Sequence, residues 1–313
     1  MLARIQQIIT IGLLLAAVAW AAYFLNAGRA AWAAGGALLI LFGYALFLAT
    51  EFAMLWFVNR GDAVPRASAS QLFAAWWGEV LAAPRVFCWR QPFRSNAVQD
   101  YLPADSDRRG VVLVHGFVCN RGLWSPLMAR LLAEGVPFTA INLEPVFGSI
   151  DHYVDIVDAA VRRVESATHQ PPVIVAHSMG GLAVRAWLSA RRADDRVHRV
   201  ITIGTPHRGT FLGRYAQTPN TRQMRKDSEW LQELAAGEPA QRYGRFTCFY
   251  GHCDNIVFPA STGTLPGADN RHVAGCAHVH MAHRDEVFRE ILRWVASPLV
   301  VDGPSQATAV ALR

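Results

Sequence analysis

Residues 173–181 read VIVAHSMGG, and this stretch decides the fold. Its first five residues form a continuous apolar run that predicts a buried strand, and the residues after Ser178 have the spacing of a helix. A serine in a sharp strand-to-helix turn is a nucleophile elbow, whose strained backbone requires small residues two positions before and after it. Those positions hold Ala176 and Gly180, so we expect Ser178 to act as a nucleophile.

Short apolar runs recur on both sides of this stretch. They are VVLVH (111–115), FTAINL (138–143), VITIG (200–204) and FTCFYG (246–251). Between and after them, residues 157–164 and 288–295 show helical spacing of apolar side chains. Because continuous apolar strands are typical of a parallel sheet covered on both faces, the sequence predicts an α/β fold with a doubly wound, mostly parallel sheet.

A tetrahedral intermediate formed on Ser178 would carry an oxyanion that needs hydrogen-bond donors. In nucleophile-elbow enzymes one donor is the backbone N–H after the nucleophile, and the other lies in the loop after an earlier strand. These groups would be the N–H of Met179 and that of Phe117, which follows His115 and Gly116 at the end of the first run. We expect His115 to orient this loop rather than to titrate in catalysis.

The acid and the base of a catalytic triad are expected after Ser178 in the chain. Asp254 lies just past the run at 246–251, although an aspartate in a surface turn is the alternative. The later candidates for the base are His272, His278, His280 and His283. We favour His278, with His280 as the main rival. His278 would accept the proton of Ser178, Asp254 would fix its tautomer, and water would release the acyl group.

Two uncharged apolar segments lie near the N-terminus, at 8–25 and 30–50, and each is long enough to span a bilayer. Only four residues, 26–29, separate them, which predicts a tight hairpin of two transmembrane helices. A cleaved signal peptide is the alternative for the first segment, and a buried core helix is the alternative for either. No clear cleavage site follows the first segment, which favours the membrane interpretation.

The flanking charges predict the orientation of this hairpin. Arg4 precedes it and Arg60 and Arg66 follow it, whereas the connecting loop carries Arg29 alone. The positive-inside rule therefore places both ends, and the catalytic part, in the cytoplasm. The five cysteines form neither a metal-ligand spacing nor an even disulfide set, which suits a reducing compartment.

Composition excludes several other classes of protein. A hydrophobic content of 52% excludes a disordered chain, and the net charge of +6 is spread without the basic runs or aromatic-basic patterns of nucleic-acid modules. We expect no nucleic-acid partner, no cofactor and no metal; the expected partners are a hydrophobic ester or lipid substrate and the membrane.

We expect four parts in the chain: a membrane anchor (1–60), an aromatic and basic connector (61–104), a catalytic domain (105–297) and a loose tail (298–313). The connector is expected either to lie at the level of the lipid headgroups or to form an ordinary packed helix and loop. We assign it no chemistry. Residues 211–244 can form a lid over the site or a plain surface insertion.

The chain resembles the lipase and esterase branch of the α/β-hydrolases, and in particular bacterial triacylglycerol lipase-like proteins, over roughly residues 108–296. The resemblance rests on HGF (115–117), AHSMGG (176–181), GTPHRGT (204–210), DNIVFP from Asp254, and GCAH ending at His278. It implies an α/β-hydrolase fold and ester hydrolysis without a metal. The family's usual glycine before its histidine is Ala277 here.

The resulting hypothesis is a serine carboxylester hydrolase, a lipase or esterase anchored in the bacterial inner membrane, that cleaves lipid or hydrophobic esters. The same triad also serves thioesterases and acyltransferases, which are the nearest alternative. A non-catalytic membrane scaffold would be expected to have lost one or more triad positions, and none is lost here.

Overall fold

A computed structural model of the chain describes residues 1–298. Of the predicted tail, only Pro298 lies within the described residues. The strands are β1 (Val111–Val114), β2 (Phe138–Ala140), β3 (Val173–His177), β4 (Arg199–Ile203), β5 (Phe246–Tyr250) and β6 (Asp269–His272). The N-terminal helices are α1 (Leu2–Asn26), α2 (Ala30–Phe42), α3 (Tyr44–Val58), α4 (Ala69–Pro84) and α5 (Gln91–Phe93). The later helices are α6 (Ser125–Ala133), α7 (Val154–Thr168), α8 (Met179–Arg191), α9 (Pro219–Gln223), α10 (Glu229–Ala236), α11 (His278–Met281) and α12 (Asp285–Ala296).

The strands form one six-stranded parallel sheet with the order β2-β1-β3-β4-β5-β6. Alternate strand residues contact opposite layers: Val112 and Ile174 pack with α7 and α8, whereas Leu113 and Val175 pack with α6 and α12. Both faces are therefore covered, which explains why the strands read as continuous apolar runs. The α/β-hydrolase fold predicted from the sequence is confirmed.

The N-terminal apolar segments form a hairpin whose second arm is bent. α1 is long and apolar enough to cross a membrane, and α2 and α3 together pass the same test but meet at an angle of 52°. The bend lies at Gly43, where a Cβ would come within 2.5 Å of the Leu39 carbonyl oxygen. The run predicted as one helix over 30–50 is thus two helices, and the second continues past Glu51.

Both ends of this hairpin contact the α/β part of the chain. Near the start of α1, Gln6 Nε2 donates to the Val118 carbonyl oxygen at 3.4 Å, and it also donates to Gln91 Oε1 of the connector at 2.8 Å. After α3, Asn59 Oδ1 accepts from the N–H of Ala260 at 3.3 Å. The two arms therefore return to the same face of the protein, as the short loop between them requires.

The connector after the hairpin is one nearly continuous helical element. α4 begins with a capping box between Ser68 and Gln71, passes through a π-helical segment (Arg85–Arg90) and ends in α5. Trp76 packs inside this region, whereas Trp77 and Trp89 are exposed.

Candidate active site

Ser178 occupies the turn between β3 and α8 at the carboxyl end of the sheet. Its φ of 55° is the left-handed value that a non-glycine residue adopts only under constraint. Its N–H donates to the Ile203 carbonyl at 2.9 Å, and Thr205 Oγ1 donates to its carbonyl oxygen at 2.9 Å. These two contacts with β4 and the segment after it hold the strained turn in place.

The small residues around Ser178 are required by close packing. A Cβ on Gly180 would lie 2.6 Å from the His115 carbonyl oxygen, and one on Gly116 would lie 2.7 Å from Ser178 Cβ. A Cβ on Gly181 would come within 2.3 Å of Thr205 Oγ1. The turn therefore has the packing that the sequence predicts for a nucleophile elbow.

Asp254 and His278 form a buried pair beside this turn. The Nδ1–H of His278 donates to Asp254 Oδ2 at 2.9 Å, and both side chains are almost inaccessible to solvent. The other carboxylate oxygen, Oδ1, accepts from the N–H groups of Ile256 (2.9 Å) and Val257 (2.8 Å). In this arrangement Nδ1 of His278 carries the hydrogen that is donated to Asp254. The Nε2 atom of the neutral imidazole therefore carries no hydrogen and can accept a proton.

The charges around His278 favour its protonated form. Burial by itself lowers the pKa of this imidazole, but the charge and hydrogen bond of Asp254, with a further contribution from Glu79, raise the pKa above its ordinary value. Such a group is a stronger proton acceptor than an isolated histidine. This is the electrostatic effect expected of a carboxylate paired with a general base.

The rival histidines have other surroundings. Within residues 1–298, the Nδ1 of His280 has no hydrogen-bond partner, and burial lowers the pKa of this side chain. Burial likewise lowers the pKa of His283, to about 4. The ring of His272 packs against that of His252, with centroids 4.5 Å apart. Among the candidates, the structure brings His278 to Asp254.

His177 supports the position of His278 from the strand before Ser178. Its Nε2–H donates to the His278 carbonyl oxygen at 3.1 Å, and the two ring centroids lie 4.5 Å apart. Burial lowers the pKa of His177 well below its ordinary value, so this side chain is neutral.

The two predicted oxyanion donors belong to the turns after β3 and after β1, which approach each other at Ser178 and Gly116. Met179 is the first residue of α8, where a backbone N–H has no acceptor within the helix. Phe117 lies in the turn after β1, followed by Val118 at a φ of 52°, which is a strained value for a β-branched residue. His115 fixes this turn, because its Nδ1–H donates to the Gly116 carbonyl at 2.8 Å and its Nε2 accepts from the Leu143 N–H at 3.0 Å.

Two carboxylates that the sequence analysis did not single out also contact the His278 segment. Glu79, in α4, accepts from the N–H groups of Val279 (3.1 Å) and His280 (3.2 Å). Glu51, in α3, accepts from Asn255 Nδ2 at 2.6 Å, and Asn255 Oδ1 in turn accepts from the His278 N–H at 3.2 Å. Burial is the main reason that the pKa of Glu79 is raised. The helices that precede the α/β part therefore help to hold His278.

Ser178 and His278 open into one apolar cavity of about 640 Å³. The α/β part contributes Phe117, Cys119, His177, Ser178, Asn255, Ile256, His278 and Val279. The N-terminal helices and the connector contribute Thr10, Leu13, Leu14, Leu41, Phe42, Tyr44, Phe47, Leu48, Glu51, Glu79, Ala83, Pro84, Phe87 and Cys88. None of these described lining residues belongs to the candidate lid at 211–244, so the cavity wall comes from the other end of the chain.

A strained serine turn at the end of a parallel strand, beside a buried histidine-carboxylate pair, defines the hydrolase class of α/β proteins. Residues 111–296 match the model of the Alpha/beta hydrolase family. The chain belongs to this family. No curated protein sequence matches it.

Solved structures with a similar fold include lipases. The mature form of Bacillus licheniformis lipase BlEst2 aligns with 63% of this chain and 96% of its own, at 17% identity and a TM-score of 0.55. Aspergillus fumigatus lipase B aligns with 62% of this chain at 18% identity and a TM-score of 0.52. The alignment spans 55% of the length of the Aspergillus protein. At identities this low, the two alignments establish a shared fold and no more.

Proposed function

We propose that this protein is a membrane-anchored serine carboxylester hydrolase, a lipase or esterase that cleaves lipid or hydrophobic esters. The observation that carries the proposal is that His278, which is paired with the buried Asp254, lines the same apolar cavity as Ser178. The pair supplies a base, the strained turn supplies a nucleophile, and the cavity accommodates an apolar substrate. The lipases among the solved structures of this fold agree with the proposal.

In the proposed reaction, Ser178 Oγ bonds to the ester carbonyl carbon while its proton passes to His278 Nε2. The backbone N–H groups of Phe117 and Met179 stabilise the negative charge on the carbonyl oxygen. The carbon–oxygen bond to the leaving alcohol then breaks, and His278 returns its proton to that oxygen. Water attacks the acyl-enzyme by the same route and releases the carboxylic acid, while Asp254 stabilises the imidazolium in both halves of the reaction.

The membrane anchor is supported by the exposure of the N-terminal hairpin. Only 6% of the apolar window in α1 is buried, which disfavours a core helix. A signal sequence passes the same test of length and apolarity, but α1 also contacts the α/β part through the bond from Gln6 to Val118 and lines the cavity through Leu13 and Leu14. We therefore propose that the hairpin, within residues 1–60, stays attached. The connector at 61–104 and the catalytic domain at 105–297 would lie on the cytoplasmic side of a bacterial inner membrane.

The test is hydrolysis of p-nitrophenyl esters by the detergent-solubilised full chain and by Ser178→Ala, with Ser70→Ala as a control at an exposed serine. We expect turnover by the wild type and the control and none by Ser178→Ala. Parallel reactions with an acyl thioester, and with ester plus an added alcohol, measure the thioesterase and acyltransferase alternatives. Faster thioester cleavage, or transfer in preference to hydrolysis, would overturn the ester hydrolase assignment.

A further inference from the structure

The cavity that contains Ser178 reaches far into the N-terminal hairpin. Gln6 is the position at which α1 is hydrogen-bonded to Val118 of the α/β part, and Leu13 and Leu14 line the cavity further along the helix. At 1.5 Å of rise per residue, these two leucines lie about 10–12 Å further along the helix axis. The cavity therefore extends from the serine to a part of the hairpin that is apolar and exposed on its outer side.

Three polar side chains that the N-terminal helices contribute to the cavity wall have hydrogen-bond partners. Tyr44 donates its hydroxyl to the Val80 carbonyl at 2.8 Å. Glu51 is bonded to Asn255, and Glu79 is bonded to the backbone of α11. Apart from the groups beside Ser178, the cavity wall therefore consists mainly of hydrocarbon side chains such as Leu14 and Leu48. Such a wall favours a long apolar chain over a polar substrate.

The outer surface of the same helices is also hydrocarbon. Ile8, Leu15 and Leu46 are 72%, 64% and 63% exposed, and they lie within a few residues of the lining positions in α1 and α3. Side chains of this kind, on helices long enough to span a bilayer, need lipid around them. The lining residues Leu14 and Phe47 are themselves 52% and 65% exposed, so the cavity is continuous with this outer apolar surface.

We propose that α1, α2 and α3 form the acyl-chain binding site of this protein, and that its occupant is one long acyl chain of a lipid ester from the bilayer that holds these helices. The scissile carbonyl lies at Ser178, and the chain runs between the helices past Leu48 and Leu14. The assignment of the carbonyl end rests on the proposed ester hydrolysis. The hairpin is then part of the substrate site as well as an anchor.

The first test compares Leu48→Trp with Leu46→Trp, because both leucines lie on α3 but only Leu48 lines the cavity. Turnover of p-nitrophenyl palmitate and butyrate by the full-length protein gives a ratio of the two kcat/KM values. Each buried methylene group is worth about 0.8 kcal/mol, or roughly fourfold, so a blocked cavity lowers this ratio strongly. We expect at least a tenfold fall for Leu48→Trp and no change for Leu46→Trp. An unchanged ratio in Leu48→Trp, or the same fall in both variants, would overturn the inference.

A second test does not depend on turnover. Ser178→Ala protein in lipid nanodiscs is irradiated with palmitic acid that carries a diazirine near its methyl end, and the labelled peptides are identified by mass spectrometry. We expect label on residues 10–14 and 41–48, competed by unlabelled palmitate and reduced by Leu48→Trp but not by Leu46→Trp. Label confined to other parts of the chain would overturn the acyl site even if the wild type hydrolyses esters. If the wild type hydrolyses no ester but the label falls at these positions, the ester hydrolase proposal fails and the acyl site stands.

Discussion

Asn255 donates a hydrogen bond of 2.6 Å to Glu51, across a separation of 204 residues in the chain. Asn255 follows Asp254 directly and also accepts from the backbone N–H of His278. The Asn255 side chain thus connects Glu51 in α3 to the backbone of His278, and the Asn255 backbone continues from Asp254. The N-terminal hairpin is thus hydrogen-bonded to the segments that carry the acid-base pair.

Glu79 is expected to act as a positioning residue for His278. In Glu79→Gln, the amide group keeps one acceptor but turns an N–H₂ toward one of the two backbone N–H donors of α11, so the segment must shift. Misplacement of a reacting group by a fraction of an ångström to one ångström costs on the order of 10- to 100-fold in rate. We expect kcat to fall by that amount with little change in KM. Loss of the Glu79 charge also moves the acid limb of the kcat/KM profile to lower pH.

The matched control for this variant is Glu233→Gln, at an exposed position of α10. A purely structural role for Glu79 would lower the amount of folded protein without moving the pH profile. That result would contradict positioning of the base.

The pH dependence of activity follows from the raised pKa of His278. The base accepts a proton only when it is neutral, so activity is lost as the pH falls through a pKa that lies above 6.5. Asp254→Asn removes the carboxylate that raises this pKa, and the acid limb moves to lower pH. The same change removes stabilisation of the imidazolium, and kcat falls by roughly 10⁴-fold. An acid limb that stays in place in Asp254→Asn would mean that another group is being titrated.

Gly204 is expected to tolerate no side chain. Its φ is 55°, and a Cβ there would lie 2.9 Å from Asp254 Oδ2 and 3.0 Å from His278 Nδ1. Gly204→Ala therefore pushes the acid-base pair apart, and we expect a loss of kcat on the order of 100-fold. Gly244→Ala is the control, because nothing lies within 4 Å of a Cβ at that position. Equal activity in the two variants would show that the contact does not matter.

The buried ion pair between Arg185 and Glu238 is expected to matter for stability. Arg185 donates from Nη2 to Glu238 at 2.6 Å and from Nη1 to the His207 carbonyl at 2.8 Å, which links α8 to the GTPHRGT segment. Arg185→Ala leaves a buried carboxylate without its main partner, which costs about 3–5 kcal/mol in the free energy of unfolding. Arg208→Ala removes an exposed pair with Asp227 and costs less than about 1 kcal/mol. Denaturant titrations of the two variants should differ accordingly; similar midpoints would contradict the prediction.

The sequence predicted the central strands because their apolar runs reflect burial on both faces. It did not predict β6, whose four residues, Asp269–His272, are polar and lie at the edge of the sheet. It also did not predict the break at Gly43, since the apolar composition is the same on both sides of the bend. The apolar pattern of a sequence indicates which residues are buried. It therefore does not reveal a polar strand at the sheet edge, or a bend between two equally apolar helices.

The candidate site was predictable only where a local motif carries it. The turn at Ser178 has a local signature, but the spacing of His278 and His280 in GCAHVHM cannot show which imidazole meets Asp254. One feature of the sequence could have pointed to Glu79: it is the single carboxylate in the otherwise uncharged stretch 69–84. Its partners lie 200 and 201 residues away in the chain, so the contact itself required the structure.

The most direct test of the central claim is labelling of the detergent-solubilised full chain with a fluorophosphonate, which bonds only to an activated serine. Mass spectrometry then locates the label, and Ser178→Ala, His278→Ala and His280→Ala are treated in parallel. The account predicts label on Ser178, no label in Ser178→Ala, a severe loss in His278→Ala and wild-type labelling in His280→Ala. Undiminished labelling in Ser178→Ala, or no labelling of the folded wild type, would contradict the assignment of this protein as a serine hydrolase.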